Sequence, residues 1–285
     1  MFIENKINMR FFHSFSSQPC LNEDKIPSEL LYKNILYYAT SLSYIKKIFP
    51  NIEIVLHTDK IAYELMSILP YDEIYLTLEG KCLNKNLFAS GKIESIKLEN
   101  IDSVHIDGDV FLFKKEIIDF FDFNDCDVFI ENVESTDFYY PNNNVYNKDV
   151  LNDELLGSKD KAFSCGILKF NNEKLKNDFI KNYDFFVNEY EKHGLEKCEY
   201  KAYDLFFEQV NLYELVNKNG LKFKTLYNDL NQYSIRKFGY IHKQSNMKYS
   251  DDNIESVKNR LLKNDANLYN NLINKINNLK IWKKI

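Results

Sequence analysis

Two short apolar strands flank a pair of aspartates in the stretch Val104-His105-Ile106-Asp107-Gly108-Asp109-Val110-Phe111-Leu112. In extended backbone, side chains at positions i and i+2 point to the same side, so the carboxylates of Asp107 and Asp109 converge on one region. Gly108, between them, leaves room for a ligand to approach the backbone. Two carboxylates suit a magnesium or manganese ion that bridges a diphosphate. The stretch therefore predicts a metal site at the carboxyl edge of a sheet, where open α/β sheets bind ligands.

Strands alternate with helices in the chain before this stretch. Apolar spacing predicts strands at 9–15, 52–57, 73–78 and 103–106, and helices at 31–49, 62–69 and 88–98. Such alternation is typical of βαβ units and a largely parallel sheet. Further strands are predicted at 110–113, 127–131, 162–170, 222–226 and 238–242, with helices at 175–191 and 202–216. We expect an α/β, Rossmann-like fold with a mostly parallel central sheet flanked by helices.

The composition is that of an ordinary globular protein. The 285 residues are 45% hydrophobic and 28% charged, which excludes disordered and low-complexity classes. The net charge of −5 argues against a nucleic-acid-coating surface, so no nucleic-acid partner is expected. Five cysteines without a C-x-x-C pair predict reduced thiols. Because neither a signal peptide nor a membrane-spanning apolar run is evident, we expect a cytoplasmic protein.

The order of the motifs resembles that of nucleotide-sugar glycosyltransferases with the GT-A fold. Their hallmark is a hydrophobic strand, Asp-x-Asp and a second hydrophobic strand, and many carry a basic residue on the preceding helix, where this chain has Lys92. The segment Phe163-Ser164-Cys165-Gly166-Ile167 resembles the strand that lines the donor-sugar pocket, with Ser164 where asparagine is usual. The resemblance spans roughly residues 8 to 250.

Two later elements extend the resemblance. Asp204 and Glu208-Gln209 resemble a helix beside the reacting sugar, with Glu208 in the place of an aspartate. The segment Tyr240-Ile241-His242-Lys243, together with Lys248, resembles the C-terminal histidine and basic residue of metal-dependent members. The resemblance implies that His242 is a third metal ligand and that Lys243 or Lys248 neutralises the departing diphosphate. An imidazole ligand would favour Mn²⁺ over Mg²⁺.

The resemblance implies transfer of a sugar from a nucleoside diphosphate, most commonly uridine diphosphate, to a glycan, lipid-linked or protein acceptor. Retention of the anomeric configuration is favoured, whereas inversion would need a base such as Glu208, Asp204 or Glu131. The expected metal ligands are Asp107, Asp109 and His242. The expected catalytic residues are Glu208, Gln209 and Asp204. The expected nucleotide and donor contacts are Ser14, Phe15, Ser16, Asp59, Lys92, Asp107, Gly166, Lys243 and Lys248.

Other functions stay open at this point. The string Asp107-Gly108-Asp109-Val110 also resembles the first motif of haloacid-dehalogenase-type phosphatases, in which the first aspartate is a nucleophile. Ser164 and Glu208 depart from the glycosyltransferase pattern, so a protein that binds a nucleotide sugar without turnover is a second alternative. A second Asp-x-Asp, Asp125-Cys126-Asp127, is interpreted as the polar entry to a strand.

The end of the chain carries a helical pattern with basic last turns. Leu268, Leu272, Ile276 and Trp282 recur at helical spacing, and no acid follows Asp265. We assign residues 1–250 to a GT-A-like catalytic domain and 251–285 to a helical C-terminal extension. A basic amphipathic helix of this kind can lie on an anionic membrane, and packing on its own domain is the alternative.

Overall fold

The structure is a computed structural model. It describes residues 9–21, 28–81, 87–135, 160–193, 206–227, 232–243 and 246–278. The strands are β1 (Arg10–Phe15), β2 (Glu53–Thr58), β3 (Glu73–Tyr75), β4 (Ser103–Ile106), β5 (Val110–Leu112), β6 (Val128–Ser135), β7 (Lys161–Phe170), β8 (Phe223–Thr225) and β9 (Tyr240–His242). The helices are α1 (Glu29–Ile48), α2 (Lys60–Met66), α3 (Ser90–Leu98), α4 (Glu173–His193), α5 (Asn211–Lys218), α6 (Gln232–Arg236), α7 (Asp251–Asn264) and α8 (Ala266–Asn278).

In the described part of the chain, seven strands form the central sheet in the order β3-β2-β1-β4-β7-β6-β8. The first four run parallel to one another, in the order of a doubly wound fold. Strand β7 is antiparallel to both β4 and β6, and β8 is parallel to β6. The predicted α/β class, with a mostly parallel central sheet flanked by helices, is confirmed.

The helices cover both faces of this sheet. Because successive strand residues point to opposite faces, Phe11 joins one apolar cluster and Phe12 the other. Helices α1, α2, α7 and α8 pack against the first cluster, and α3, α4 and α5 against the second. Strands β1 and β2, buried on both sides, each carry a short apolar run, and β4 carries Val104 and Ile106, which explains why the sequence pattern located them.

Several predicted elements differ from the structure. The strand predicted at 73–78 ends at Tyr75. The helix predicted at 202–216 begins, within the described residues, with a π-helical turn over Phe206–Val210, so a regular helical spacing does not apply there. The helical pattern predicted for the end of the chain is divided at Asp265, where the backbone leaves the helix and the carboxylate caps α8 by accepting the N–H of Leu268.

Helix α7 packs against α1, helix α8 packs against α7 and α2, and both contribute to the first apolar cluster. The division into 1–250 and 251–285 stays a prediction. Trp282 and the basic last turns lie outside the described residues, and so the membrane contact also stays a prediction. None of the described helices combines the length and the apolar character that crossing a membrane requires.

Candidate active site

The two aspartates lie where β4 ends, at the carboxyl edge of the parallel strands. The N–H of Asp107 donates to the carbonyl of Gly166 at 2.8 Å, and the N–H of Val110 donates to the carbonyl of Asp107 at 3.0 Å, which forms a tight turn. A Cβ on Gly108 would lie 2.3 Å from the ring of Tyr38. Glycine is therefore needed at this position because the ring of Tyr38 occupies the space of a side chain. This corrects the expectation that Gly108 leaves room for a ligand.

A second, two-stranded sheet carries His242 to the aspartates. Strand β9 pairs antiparallel with β5, and His242 lies opposite Val110. The Nε2 atom of His242 is then 3.3 Å from Oδ1 of Asp109. One donor atom each of Asp107, Asp109 and His242 lies within 4.8 Å of the others. Residues that are far apart in the sequence thus form one cluster.

This cluster fits a divalent cation. With bonds of about 2.1 Å, two neighbouring ligands of an octahedral ion lie about 3 Å apart, close to the spacing of Asp109 and His242. Two carboxylates and an imidazole make a donor set suited to Mn²⁺ or Mg²⁺. The residues that could hold a metal are therefore Asp107, Asp109 and His242.

The other side of the His242 ring contacts a buried carboxylate. Its Nδ1–H donates to Oε2 of Glu131 at 2.8 Å, and Glu131 is fully buried in β6. The hydroxyls of Ser164 and Tyr227 also donate to Glu131, at 2.8 and 3.3 Å. A Cβ on Gly166 would meet Glu131 at 2.4 Å and the imidazole at 2.6 Å. Glu131 is therefore enclosed, which contradicts the expectation that it could serve as a base facing an acceptor.

Lys92, in α3, connects Asp107 to Glu208. Its ammonium lies 2.9 Å from Asp107 and 2.8 Å from Glu208, and it donates to the carbonyl of Cys165 at 3.2 Å. Burial alone would lower the pKa of Lys92, but the two carboxylates outweigh it and hold that pKa above its usual value. Burial raises the pKa of Glu208, against the lowering effect of Lys92. A buried lysine–glutamate pair thus adjoins the aspartates.

Lys243 and Lys248 lie in different positions relative to the aspartates. The ammonium of Lys248 lies 2.6 Å from Oδ2 of Asp109, and its carbonyl accepts the hydroxyl of Tyr37 at 2.5 Å. The ammonium of Lys243 instead donates to Asn253 of α7 at 3.0 Å. Burial opposes ionisation of Asp109, but Lys248 and His242 outweigh it and lower its pKa. Of the two lysines considered for the diphosphate, Lys248 is the one beside the aspartates.

The residues expected to hold a nucleoside lie at the ends of β1 and β2. Ser14 is hydrogen-bonded to His105 Nε2 at 3.0 Å, Ser16 is half-buried, and the carbonyl of the buried Phe15 accepts the Thr58 hydroxyl. Asp59 caps α2 by accepting the N–H of Ala62, and it also accepts the N–H of Ser17. Gln209 is half-buried on the π-helical turn, and Asp204 lies outside the described residues. Nucleoside and donor contacts by these residues stay predictions.

Comparison with known proteins places the chain in a family. The model of a family of unknown function (DUF6734) matches residues 9–275. The chain belongs to DUF6734. Among solved structures, it is similar to the galactosyltransferase LgtC in complex with donor and acceptor sugar analogues. The two share 12% sequence identity with a TM-score of 0.47, over 90% of this chain and 96% of that one. A search of curated proteins finds no match.

Sequence reasoning missed two histidine contacts in this DUF6734 protein. It considered Glu131 only as a base, although a glutamate within an apolar strand signals a buried partner. It also passed over His105, which is 1% exposed and whose Nδ1 lies 3.7 Å from Asp107 Oδ1. Burial and the nearby charge of Lys92 lower the pKa of His105 well below its ordinary value. A neutral imidazole therefore faces Asp107.

Proposed function

We propose that this DUF6734 protein is a metal-dependent glycosyltransferase of the GT-A type, which transfers a sugar from a nucleoside diphosphate, most simply uridine diphosphate. The observation that carries the proposal is the cluster of Asp107, Asp109 and His242 at the carboxyl edge of the parallel strands. A Mn²⁺ or Mg²⁺ ion bound there would act as a Lewis acid on the diphosphate.

The lysines beside the cluster supply fixed positive charge. Burial alone would lower the pKa of Lys248, but Asp109 outweighs it and raises that pKa, so the ammonium stays charged near neutral pH. From its position 2.6 Å from Asp109, Lys248 is placed to donate to a phosphate oxygen as negative charge grows on the leaving diphosphate. Lys92, next to Asp107, is placed to contact the diphosphate or the donor sugar.

The donor sugar would lie between Gly166 and the turn that carries Glu208 and Gln209; the role of Asp204, outside the described residues, stays a prediction from the sequence. The nucleoside would lie along Ser14, Phe15 and Ser16, toward Asp59. Two of the carboxylates considered as bases, Glu131 and Glu208, are buried and paired with His242 and Lys92. This favours retention of configuration over inversion, which needs a free base beside the acceptor. The acceptor class stays a glycan, a lipid-linked glycan or a protein.

Hydrolysis of a panel of nucleotide sugars, with and without Mn²⁺, tests the proposal. The wild type is compared with Asp109→Asn, which removes the charge of a ligand at constant volume. Asp125→Asn is the matched control, because Asp125 belongs to the other Asp-x-Asp, is exposed and has φ of 53°, a backbone conformation that asparagine tolerates.

We expect Mn²⁺-dependent release of one nucleoside diphosphate by the wild type and by Asp125→Asn, with its loss in Asp109→Asn. Binding of Mn²⁺ and uridine diphosphate is titrated in the same samples, with a set of acceptors added. Binding without turnover under all these conditions would favour the nucleotide-sugar-binding alternative. Absence of both binding and turnover would return the two aspartates to a structural turn.

A further inference from the structure

His242 lies between two carboxylates, of which only one belongs to the candidate metal cluster. Its Nε2 faces Asp109, which belongs to the candidate metal cluster, while its Nδ1 is bonded to Glu131, which does not. We propose that Glu131 is a positioning residue, which holds the His242 ring so that Nε2 is directed at the metal. This inference rests on the metal centre of the proposed function and extends it to a residue outside the ligand set.

The strands around Glu131 are shaped to admit this contact. The pairing of β6 with β7 is irregular after Ile130, which lies opposite Leu168, whereas Asn132 lies opposite Ser164. Three residues of β7 therefore face Glu131, and Gly166 is the central one. Because a Cβ there would overlap both the carboxylate and the imidazole, the glycine makes the contact possible.

The carboxylate itself is immobilised. Ser164 donates to the same oxygen that contacts His242, and Tyr227 donates to the other oxygen. Because an ionised carboxylate can only accept, Glu131 fixes the proton of a neutral His242 ring on Nδ1, and the lone pair of Nε2 then points toward Asp109 and the candidate metal cluster. A carboxylate on the outer nitrogen of a metal-binding histidine orients the ring and increases its basicity, and losing it typically weakens metal binding about 10–100-fold.

The test measures Mn²⁺ affinity and the nature of the ligands, independently of turnover. The dissociation constant is obtained from the electron paramagnetic resonance signal of free Mn²⁺, and electron spin echo modulation from ¹⁴N reports whether an imidazole is bound. Glu131→Gln removes the charge at constant volume, and Glu131→Asp keeps the charge but withdraws it from the ring. His242→Ala supplies the reference without an imidazole ligand.

Glu99→Gln is the matched control. Glu99 is also a buried carboxylate paired with a histidine, at 2.8 Å from His57 Nε2, but it lies beside Arg10 at the start of β1. If Glu131 had only a structural role, Glu131→Gln and Glu99→Gln would lower the free energy of unfolding by similar amounts. Only a positioning role would make Glu131→Gln change the nitrogen modulation while Glu99→Gln leaves it intact.

We expect Glu131→Gln and Glu131→Asp to weaken Mn²⁺ binding about 10–100-fold and to reduce the nitrogen modulation toward that of His242→Ala. Affinity within twofold of the wild type, with the modulation retained in either folded variant, would overturn the positioning role while leaving the metal centre in place. A wild type that binds no Mn²⁺ would overturn the metal centre itself, and this inference with it.

Discussion

Replacing Gly166 by alanine introduces one methyl group at the most crowded point of the site. The new Cβ would lie 2.4 Å from Glu131 Oε2 and 2.6 Å from His242 Cε1, whereas real Cβ contacts are essentially never below 3.0 Å. The carboxylate or the strand must therefore move by at least about 0.6 Å, and close packing resists such a shift. Glu131 is held by its hydrogen bonds, and Gly166 by the N–H of Asp107. Overpacking of this kind costs about 1–3 kcal/mol.

Urea unfolding of Gly166→Ala, followed together with Mn²⁺ affinity, measures both consequences. We expect the unfolding midpoint to fall at an unchanged denaturant slope, and Mn²⁺ binding to weaken, because the methyl group displaces the His242 ring. Gly91→Ala is the control of opposite sign: its Cβ would meet neighbours at 3.4 Å, an ordinary contact, and alanine favours a helix by up to about 1 kcal/mol. If Gly166→Ala lost less than about 0.5 kcal/mol and kept its affinity, the crowding argument would be refuted.

Three further outcomes follow from the same contacts. Lys92→Met should cost about 3–5 kcal/mol of unfolding free energy by leaving Asp107 and Glu208 uncompensated, and adding Glu208→Gln should recover part of it in a urea double-mutant cycle. Burial opposes ionisation of Glu99, but hydrogen bonds from His57, Arg10 and Ser103 lower its pKa from 4.5 to about 2. The stability that this carboxylate contributes above pH 4.5 should therefore fall by about 3 kcal/mol on acidification to pH 2. Glu99→Gln should flatten this acid limb of the pH–stability curve, and an unchanged limb would exclude Glu99 and its partners as the cause. Mn²⁺ at 100 times its dissociation constant should raise the unfolding free energy by about 2.7 kcal/mol, a gain that chelation and Asp109→Asn should both remove in a calorimetric melt.

The sequence was sufficient for the strands and for the residues that form the cluster. Apolar runs separated by helical stripes located the parallel strands, because burial on both faces leaves little freedom in composition. Asp107 and Asp109 follow such a strand directly, so their common direction depends only on extended backbone. His242 was found through the order of motifs rather than through spacing, since strand pairing across such a separation leaves no local signal.

The sequence was insufficient where tertiary contacts decide. The apolar pattern of β7 does not tell that it runs antiparallel between β4 and β6, because parallel and antiparallel buried strands share that pattern. Lys243 and Lys248 have the same side chain, so the sequence does not distinguish them. In the fold, Lys243 is hydrogen-bonded to Asn253 of α7, whereas the backbone of Lys248 is held by Tyr37 of α1. Glu131 could be noticed as a charge in a strand, but its partner depends on how closely β7 approaches, which no spacing encodes.

The pairing of β5 with β9 also determines when the site can exist during folding. These strands are joined by three residue pairs and lie far apart in the chain, so we expect them to pair late in folding, because the entropy of closing a long loop must be lost before the contact forms. A nascent chain that has not yet reached residue 240 contains both aspartates but neither the imidazole nor Lys248. The three candidate ligands therefore come together only after β9 has paired with β5. Binding of a metal would then stabilise the chain at the end of folding and would not initiate folding.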